Sequence, residues 1–482
     1  MSSFDSTKRL LPEILGDIVK GKIQLPDFQR GWIWDDEHVR SLLVSIARSF
    51  PVGAVMLLQA GGEARFQVRA IENVPFAGSP PQAELLILDG QQRLTTLAVC
   101  LVFEKVNTGG VPLSVVELVT ASYAADGYNL RDDWYGSNLR KIPSRYKRLA
   151  KESMLQVVET TDFFQAITML HTLERRRADI AAGKEGKNIA AVSAKRAAIL
   201  TLPLSAYHQW ADKVEAGFIL AAKFLRKECF INSRDLPYRT QLAPLAAVMA
   251  MISERWLEPR IFEKLVRWYW CGVLGELYGG AVETRIANDV EELLKWFEQD
   301  GEPPLTVIEA AFQPDRLDRL TSRLSAAYKG INILVLRNGA EDFFWKANIR
   351  ELDAEEVALD IHHIFPQNWC ENEKIARKLY NSIINKTPIS YKANRMIGGV
   401  APSKYLKKIQ NHKQVKIDDI GMNVILESHL IPVSALRNND FHAFYQTRKQ
   451  AMLLLIETAM GKKVVPANVD EEPELGDEED DS

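Results

Sequence analysis

The stretch Asp360-Ile-His-His-Ile-Phe-Pro366 sets two adjacent histidines at the end of an apolar run, and Asn385-Lys-Thr-Pro388 and Asn394-Arg395 follow it. Residues of these types, this close together, suit hydrolysis of a phosphodiester. One imidazole can hold a divalent cation while the other takes a proton from water. An asparagine carbonyl oxygen can bind metal or orient an imidazole. The reaction needs an activated water and a cation to neutralise phosphate charge. The interval from His362 to Asn394 fits one hairpin plus one helix, so the stretch reads as a one-metal nuclease site. The competing reading is a polar cluster at a domain surface, which explains one motif more easily than several matched roles.

A second set lies near the other end. In Leu88-Asp-Gly-Gln-Gln-Arg-Leu-Thr-Thr96 a strand ends in Asp-Gly and opens directly into a helix. That geometry leaves backbone N–H groups where an anion can sit. Arg93, one turn in, adds a fork of donors for phosphate. Asp89 could hold a cation or a ribose hydroxyl, and Gln91 and Gln92 could hydrogen-bond a base or a water. Gln29-Arg30, expected to be buried among Pro26, Phe28, Trp32 and Trp34, is a further candidate, as is the turn Asn107-Thr-Gly-Gly110. Each of these three is ordinary alone: a structural turn, a surface or ion-paired Gln-Arg, a loop.

The elements that must position these residues follow from periodicity. Leu10–Val19 reads as a short helix. Asp35 or Asp36 caps a second helix carrying Val39, Leu42, Leu43 and Ile46 on one face, and Pro51 breaks it. Gly53–Leu58 and Glu84–Leu88 read as strands, the second running into a helix that starts near Gln91. From about Thr120 to Phe344 the chain is mainly helical, with Ile286, Val290, Leu293, Leu294 and Phe297 on one face. Trp268-Tyr-Trp270 could line a pocket for a base, but its helical spacing favours core. The basic stretch 175–196 reads as a solvated face, and His38, His171, His208, His412, His429 and His442 read as structural or surface residues. A last helix, capped by Asn439 or Asp440, stops at Gly461, with Lys462 and Lys463 placed for its dipole.

Composition sets the outer bounds. A chain of 482 residues exceeds one ordinary core, so two or three domains are expected. No apolar run reaches the length of a membrane span and the first residues lack a signal-peptide core, so no membrane partner is expected. Cys100, Cys229, Cys271 and Cys370 are scattered without a Cys-x-x-Cys pair, which argues against zinc ribbons and disulfides and fits a reducing cytoplasm. The net charge of −3 conceals an acidic end, since residues 470–482 hold nine acids and no base and leave +6 on the rest. A mildly basic body permits phosphate-backbone binding, and the tail reads as a solubilising end.

Gln24-Leu-Pro-Asp-Phe-Gln-Arg-Gly-Trp-Ile-Trp34, Phe50-Pro-Val-Gly53, the Asp89–Arg93 stretch and Phe103–Ser114 with its Asn-Thr-Gly-Gly occur in this order. Together they resemble the ParB/sulfiredoxin-like domain of GmrSD-type modification-dependent restriction proteins, in signature form over residues 10–125. The late stretch resembles the HNH (ββα-metal) nuclease domain that accompanies it. The resemblance implies a mixed α/β and α fold: a nucleotide- or DNA-sensing α/β domain at 1–120, a helical domain at 121–345, the HNH domain at 346–465 and an acidic tail at 466–482. It implies a metal-dependent DNA endonuclease of the anti-phage class, gated by a nucleotide-responsive N-terminal domain. The alternatives from other classes are a nucleotide-responsive DNA-binding adaptor with an idle nuclease site, and a nucleotidase whose DNA cutting is secondary.

The same resemblance assigns roles. His363 is the general base, Asn385 orients it, and His362 and Asn394 hold Mg2+ or Mn2+. Lys386 and Arg395 are phosphate contacts. Asp89, Gly90, Gln91, Gln92, Arg93, Gln29 and Arg30 form a nucleoside triphosphate pocket. Modified or phage DNA and a nucleotide are the expected partners, with homo-oligomer formation left open. The chain departs from the family at one place: a long segment usually separates the Asp-Gly-Gln-Gln-Arg and Asn-Thr-Gly-Gly motifs, whereas here Arg93 and Asn107 are only 14 positions apart.

Overall fold

The computed structural model describes residues 9–31, 33–47, 53–61, 66–72, 74, 81–106, 114–298, 301–352 and 359–464. Asn107–Gly110, Trp32, Pro51 and the acidic tail at 466–482 lie outside the described residues. The chain divides into two compact units, Met1–Leu130 and Arg131–Ser482.

The first unit is α/β. Helix α1 (Leu11–Val19) precedes strand β1 (Ile23–Pro26), then α2 (Asp36–Ala47), β2 (Met56–Gln59), β3 (Val68–Arg69), β4 (Leu85–Asp89), α3 (Gln91–Val106) and α4 (Val115–Ala125). Asp35 caps α2 by accepting from the His38 N–H at 2.9 Å. Sheet order is β2-β4-β1-β3, with β1 and β4 parallel and both outer strands antiparallel to their neighbours. The parallel pair needs a crossover, which the chain between β1 and β4 supplies. Leu15, Ile18, Ile23, Leu25, Leu42, Ile87, Leu94 and Ala98 form the core, so α1 and α3 pack against the sheet through their apolar faces.

The second unit is mostly helical. Long helices α5 (Thr160–Ala181), α6 (Leu204–Lys227), α7 (Leu242–Ile252), α8 (Pro259–Leu274), α9 (Glu283–Glu298) and α10 (Ala326–Arg337) precede a small sheet. Gly217 lets α6 and α7 approach closely, since a Cβ there would lie 2.2 Å from the Ala246 carbonyl oxygen. Ile286, Val290, Leu293, Leu294 and Phe297 are all buried, as their spacing predicts. Trp268, Tyr269 and Trp270 are at most 1% exposed, so they are core, and the Trp270 indole N–H donates to Glu228 at 2.7 Å. Cys229, Cys271 and Cys370 are free and buried. Among the described residues no helix is long and apolar enough to cross a membrane.

The sheet of this unit is the antiparallel pair β5 (Asp360–His363) and β6 (Lys386–Ile389), followed by α11 (Tyr391–Ile397) and, at the end, α12 (Phe441–Met460). The expected division at 345/346 falls inside one compact unit. Tyr445 and Lys449 of α12 reach back to Asp318 at 2.8 and 2.5 Å, and the Cys271 thiol donates to the Met460 carbonyl at 3.4 Å. Asp440 caps α12 through the Ala443 N–H, and Gly461 ends it in the left-handed conformation at φ 59°. Lys462 departs from expectation. Its ammonium donates to the carbonyls of Val307, Ile308 and Ala310, each at 2.8 Å, and so closes the end of the neighbouring helix Leu305–Glu309.

Candidate functional site

In the second unit, β5 presents His362 and His363 opposite Thr387 and Lys386 of β6. A loop of two short helices, Gln367–Asn372 and Arg377–Tyr380, and the 3-10 turn Ile383–Asn385 joins the strands. α11 follows β6 after one residue, Ser390, whose hydroxyl accepts from the Ala393 N–H and donates to buried Asp342 at 2.9 Å. A strand with the histidine pair, a second strand and a helix bearing Asn394 therefore form a ββα unit.

Asn385 holds the loop shut. It is fully buried, its Oδ1 accepts the Phe365 N–H at 2.8 Å, and its Nδ2 donates to the carbonyls of Phe365 and Tyr380, both at 2.9 Å. These contacts are all to backbone, so Asn385 fixes the loop that runs from β5 to β6. The side chain that supports the His363 imidazole directly is Asn381, one turn earlier, which sequence reasoning missed.

His363 is held neutral. Burial, then the charge of Lys386, push its pKa down to about 4, against the opposing hydrogen bond with Asn381; His362 and Arg323 add smaller downward pushes. Lys386 is itself pulled down to about 8 by burial and by Arg323. Arg323 was not foreseen. It comes from the segment before α10, and its guanidinium donates to the Ile361 carbonyl of β5 at 2.6 Å. Two cations thus flank an uncharged imidazole, a combination suited to an anion beside a base. Arg395 is exposed, with its guanidinium 5.6 Å from the Tyr391 ring centre.

His363 Nε2 is buried with no hydrogen-bond partner, the state expected of a nitrogen that meets a water or a reacting proton. For a metal, the candidate donors are the His362 imidazole on β5 and the Asn394 amide on α11. The Asn394 amide, half-buried on α11, forms no side-chain hydrogen bond among the described residues. Among those residues no three His, Cys, Asp or Glu side chains gather around a point. A donor set of imidazole and amide oxygen leaves most coordination to water and phosphate, and suits Mn2+ better than Mg2+.

A buried histidine ties the ββα unit to its surroundings. His429 accepts the Thr387 hydroxyl through Nδ1 at 2.7 Å and donates from Nε2 to the Glu341 carbonyl at 2.8 Å. The tautomer follows because a carbonyl can only accept. Burial pushes its pKa down to about 4. Above pH 6.5 the imidazole is neutral folded or unfolded. Between pH 6.5 and 4 only the unfolded chain takes the proton, so stability falls by about 3 kcal/mol across that window. His429→Gln, which can keep both hydrogen bonds without titrating, is expected to flatten that acid arm in urea-unfolding midpoints measured from pH 7 to 4. An unchanged slope would rule out His429 as its source.

The first unit gathers its candidates at one cleft of about 470 Å3, lined by Phe28, Gln29, Arg30, Trp34, Leu88, Asp89, Gly90, Gln91, Gln92 and Arg93. All seven residues assigned to nucleotide are among them. The N-terminal turn of α3, the positive end of its dipole, lies in this wall. Their individual roles differ from expectation. The Gln92 amide donates to the Gly31 carbonyl at 2.9 Å and accepts the Ile33 N–H at 3.0 Å, and Gln91 donates to the Arg30 carbonyl at 2.5 Å. Both glutamines therefore brace the 29–33 loop with the groups expected to face a base. Arg30 is exposed and Gln29 half-buried, so the expected burial does not occur.

Gln29 donates to the Ile87 and Leu88 carbonyls at 2.8 and 3.0 Å, which leaves its buried Oε1 as an acceptor without a partner. Arg93 donates to the Ala54 carbonyl at 2.9 Å and lies 3.5 Å from Asp89. Gly53 has φ +89°, and a Cβ there would lie 2.3 Å from Arg93 Nη1, which explains glycine at the end of the Phe-Pro-Val-Gly signature.

An α/β module with a polar, cationic cleft and a helical unit carrying a ββα histidine site define a two-part chain with a candidate site in each part. Residues 11–101 match the family described as GmrSD restriction endonuclease, N-terminal domain. An uncharacterized protein of Methanocaldococcus jannaschii is 24% identical over 577 aligned positions, covering 93% of this chain and 98% of that protein. The alignment is longer than this chain, so the relative carries segments that are lacking here.

Proposed function

We propose that this protein is a metal-dependent DNA endonuclease of the modification-dependent, anti-phage kind, whose N-terminal cleft binds a nucleotide that licenses cutting. The observation that carries the reading is the neutral, partly buried His363 on a ββα unit, flanked by Lys386 and Arg323. The match of residues 11–101 to a restriction-endonuclease family supports DNA as the substrate.

His363 takes the proton of the attacking water. Its low pKa keeps it unprotonated at neutral pH, and a phosphodiester anion arriving beside it raises that pKa toward the range of an effective base. Lys386 and Arg323 attract the phosphate and balance its growing negative charge. His362 and Asn394 would hold a divalent cation, which would neutralise charge on the phosphate and the leaving oxygen. Asn381 and Asn385 keep the imidazole in place.

Plasmid and phage DNA carrying different base modifications, incubated with Mg2+ or Mn2+ and each nucleoside triphosphate, test the proposal. Wild type is expected to nick or cut at least one modified DNA, with loss of cleavage in EDTA and in His363→Ala. Equal cutting by wild type and His363→Ala would overturn the mechanism. DNA binding that survives EDTA with no cleavage would point instead to an adaptor.

A further inference from the structure

We propose that Phe28 is the stacking platform for the aromatic base of the nucleotide in the N-terminal cleft. The inference rests on the nucleotide reading above and adds the residue that recognises the base. Phe28 follows β1 and Phe66 precedes β3, and the two strands pair Pro26 with Val68, a pairing continued by the Asp27 N–H to the Gln67 carbonyl at 2.8 Å. That register sets the two rings side by side, with centroids 5.3 Å apart and planes at 60°.

Phe28 is 66% exposed and Phe66 39% exposed. A phenylalanine left two-thirds in water contributes little to the core, and a fixed, exposed aromatic pair is a patch that marks a binding surface. Its position identifies what it binds. Phe28 lines the same cleft as Arg30, Arg93 and the N-terminal turn of α3. The cleft therefore offers guanidinium and helix-end N–H groups that suit phosphate. Phe28 offers an apolar, flat surface. A ligand complementary to both joins an anionic chain to a planar aromatic ring, which is the chemistry of a nucleoside polyphosphate. Phe66 braces the Phe28 ring and so lowers the entropy lost when a base stacks on it.

Isothermal titration of the full chain with ATP, GTP, CTP and UTP, and with inorganic tripolyphosphate, tests the assignment. Phe28→Ala is expected to weaken every nucleoside triphosphate that wild type binds by about 5- to 150-fold, the range of one lost base stack, and to leave tripolyphosphate unchanged. Phe28→Trp is expected to bind nucleotide at least as well as wild type. Equal weakening of tripolyphosphate by Phe28→Ala, or undiminished nucleotide binding, would overturn the inference. Wild type that binds tripolyphosphate as tightly as any nucleotide would overturn the inference while leaving a phosphate site. Wild type that binds none of these probes would remove the nucleotide reading and the inference together.

Discussion

Arg448→Met is expected to lower the stability of the second unit by about 3 kcal/mol, the cost of leaving several buried carbonyls unsatisfied. Arg448 has no solvent exposure and, among the described residues, no carboxylate partner. Its guanidinium donates instead to the carbonyls of Ile384 and Lys386 and, through Nε and Nη2, to the His429 carbonyl at 3.2 and 3.1 Å. A cation solvated only by peptide dipoles is expensive to bury, and burial pulls its pKa down to about 9. It is therefore still charged at neutral pH, and four hydrogen bonds offset the desolvation. Methionine matches the side chain's length and removes the buried charge, yet leaves three carbonyl oxygens dry. Arg448→Lys is expected to do no better, because one ammonium cannot reach carbonyls at two edges of the planar guanidinium. Urea unfolding of both variants provides the measurement. A methionine variant within about 0.5 kcal/mol of wild type, the usual scatter for a neutral substitution, would show that the carbonyl network is not worth its charge.

How far the sequence reveals the sites depends on how locally they are built. The histidine pair, Asn385 and Asn394 lie within one supersecondary unit, so their spacing is legible: β5 carries the histidines, the 3-10 turn just before β6 carries Asn385, and α11 carries Asn394. The strand–turn–helix around Asp89–Arg93 is legible for the same reason. Its convergence with Gln29 and Arg30 came from the family resemblance, since β1 meets β4 only through a crossover. Arg323, Arg448 and His429 left no local signal. Arg323 lies 38 residues before the carbonyl it binds, and Arg448 lies 62 and 64 residues after two of its acceptors. His429 looked like an isolated histidine because its partners, Thr387 and Glu341, arrive from two other elements.

The direction of a polar side chain was equally hidden. Gln91 and Gln92 occupy the expected wall, but they hydrogen-bond the 29–33 backbone, because a loop laid against a helix end must satisfy its own peptide groups first. Lys462 shows the same point at a helix end. Its ammonium goes where three carbonyls converge on a neighbour, a more complete site than the end of its own helix.

Asn385→Ala joins stability to function. The amide satisfies one N–H and two carbonyls from a fully buried position, so alanine is expected to cost about 3 kcal/mol. It is also expected to slow DNA cleavage by more than the unfolded fraction explains, because the loop leads straight out of His363 and carries Asn381. Asn385 reaches only backbone, so DNA affinity should change little while the cleavage rate falls. Asn385→Asp separates the two halves of the interaction. It keeps an acceptor for the Phe365 N–H but turns a carboxylate toward the Phe365 and Tyr380 carbonyls, so it should be at least as damaging at pH 7. Protonation restores a donor, so the aspartate variant should recover relative to alanine as pH falls toward 5. The titration of His363, followed by imidazole NMR, distinguishes positioning from simple destabilisation. It should shift in Asn385→Ala under conditions where the protein remains folded. If it does not shift, and cleavage tracks the folded fraction alone, Asn385 supports the fold without setting the base.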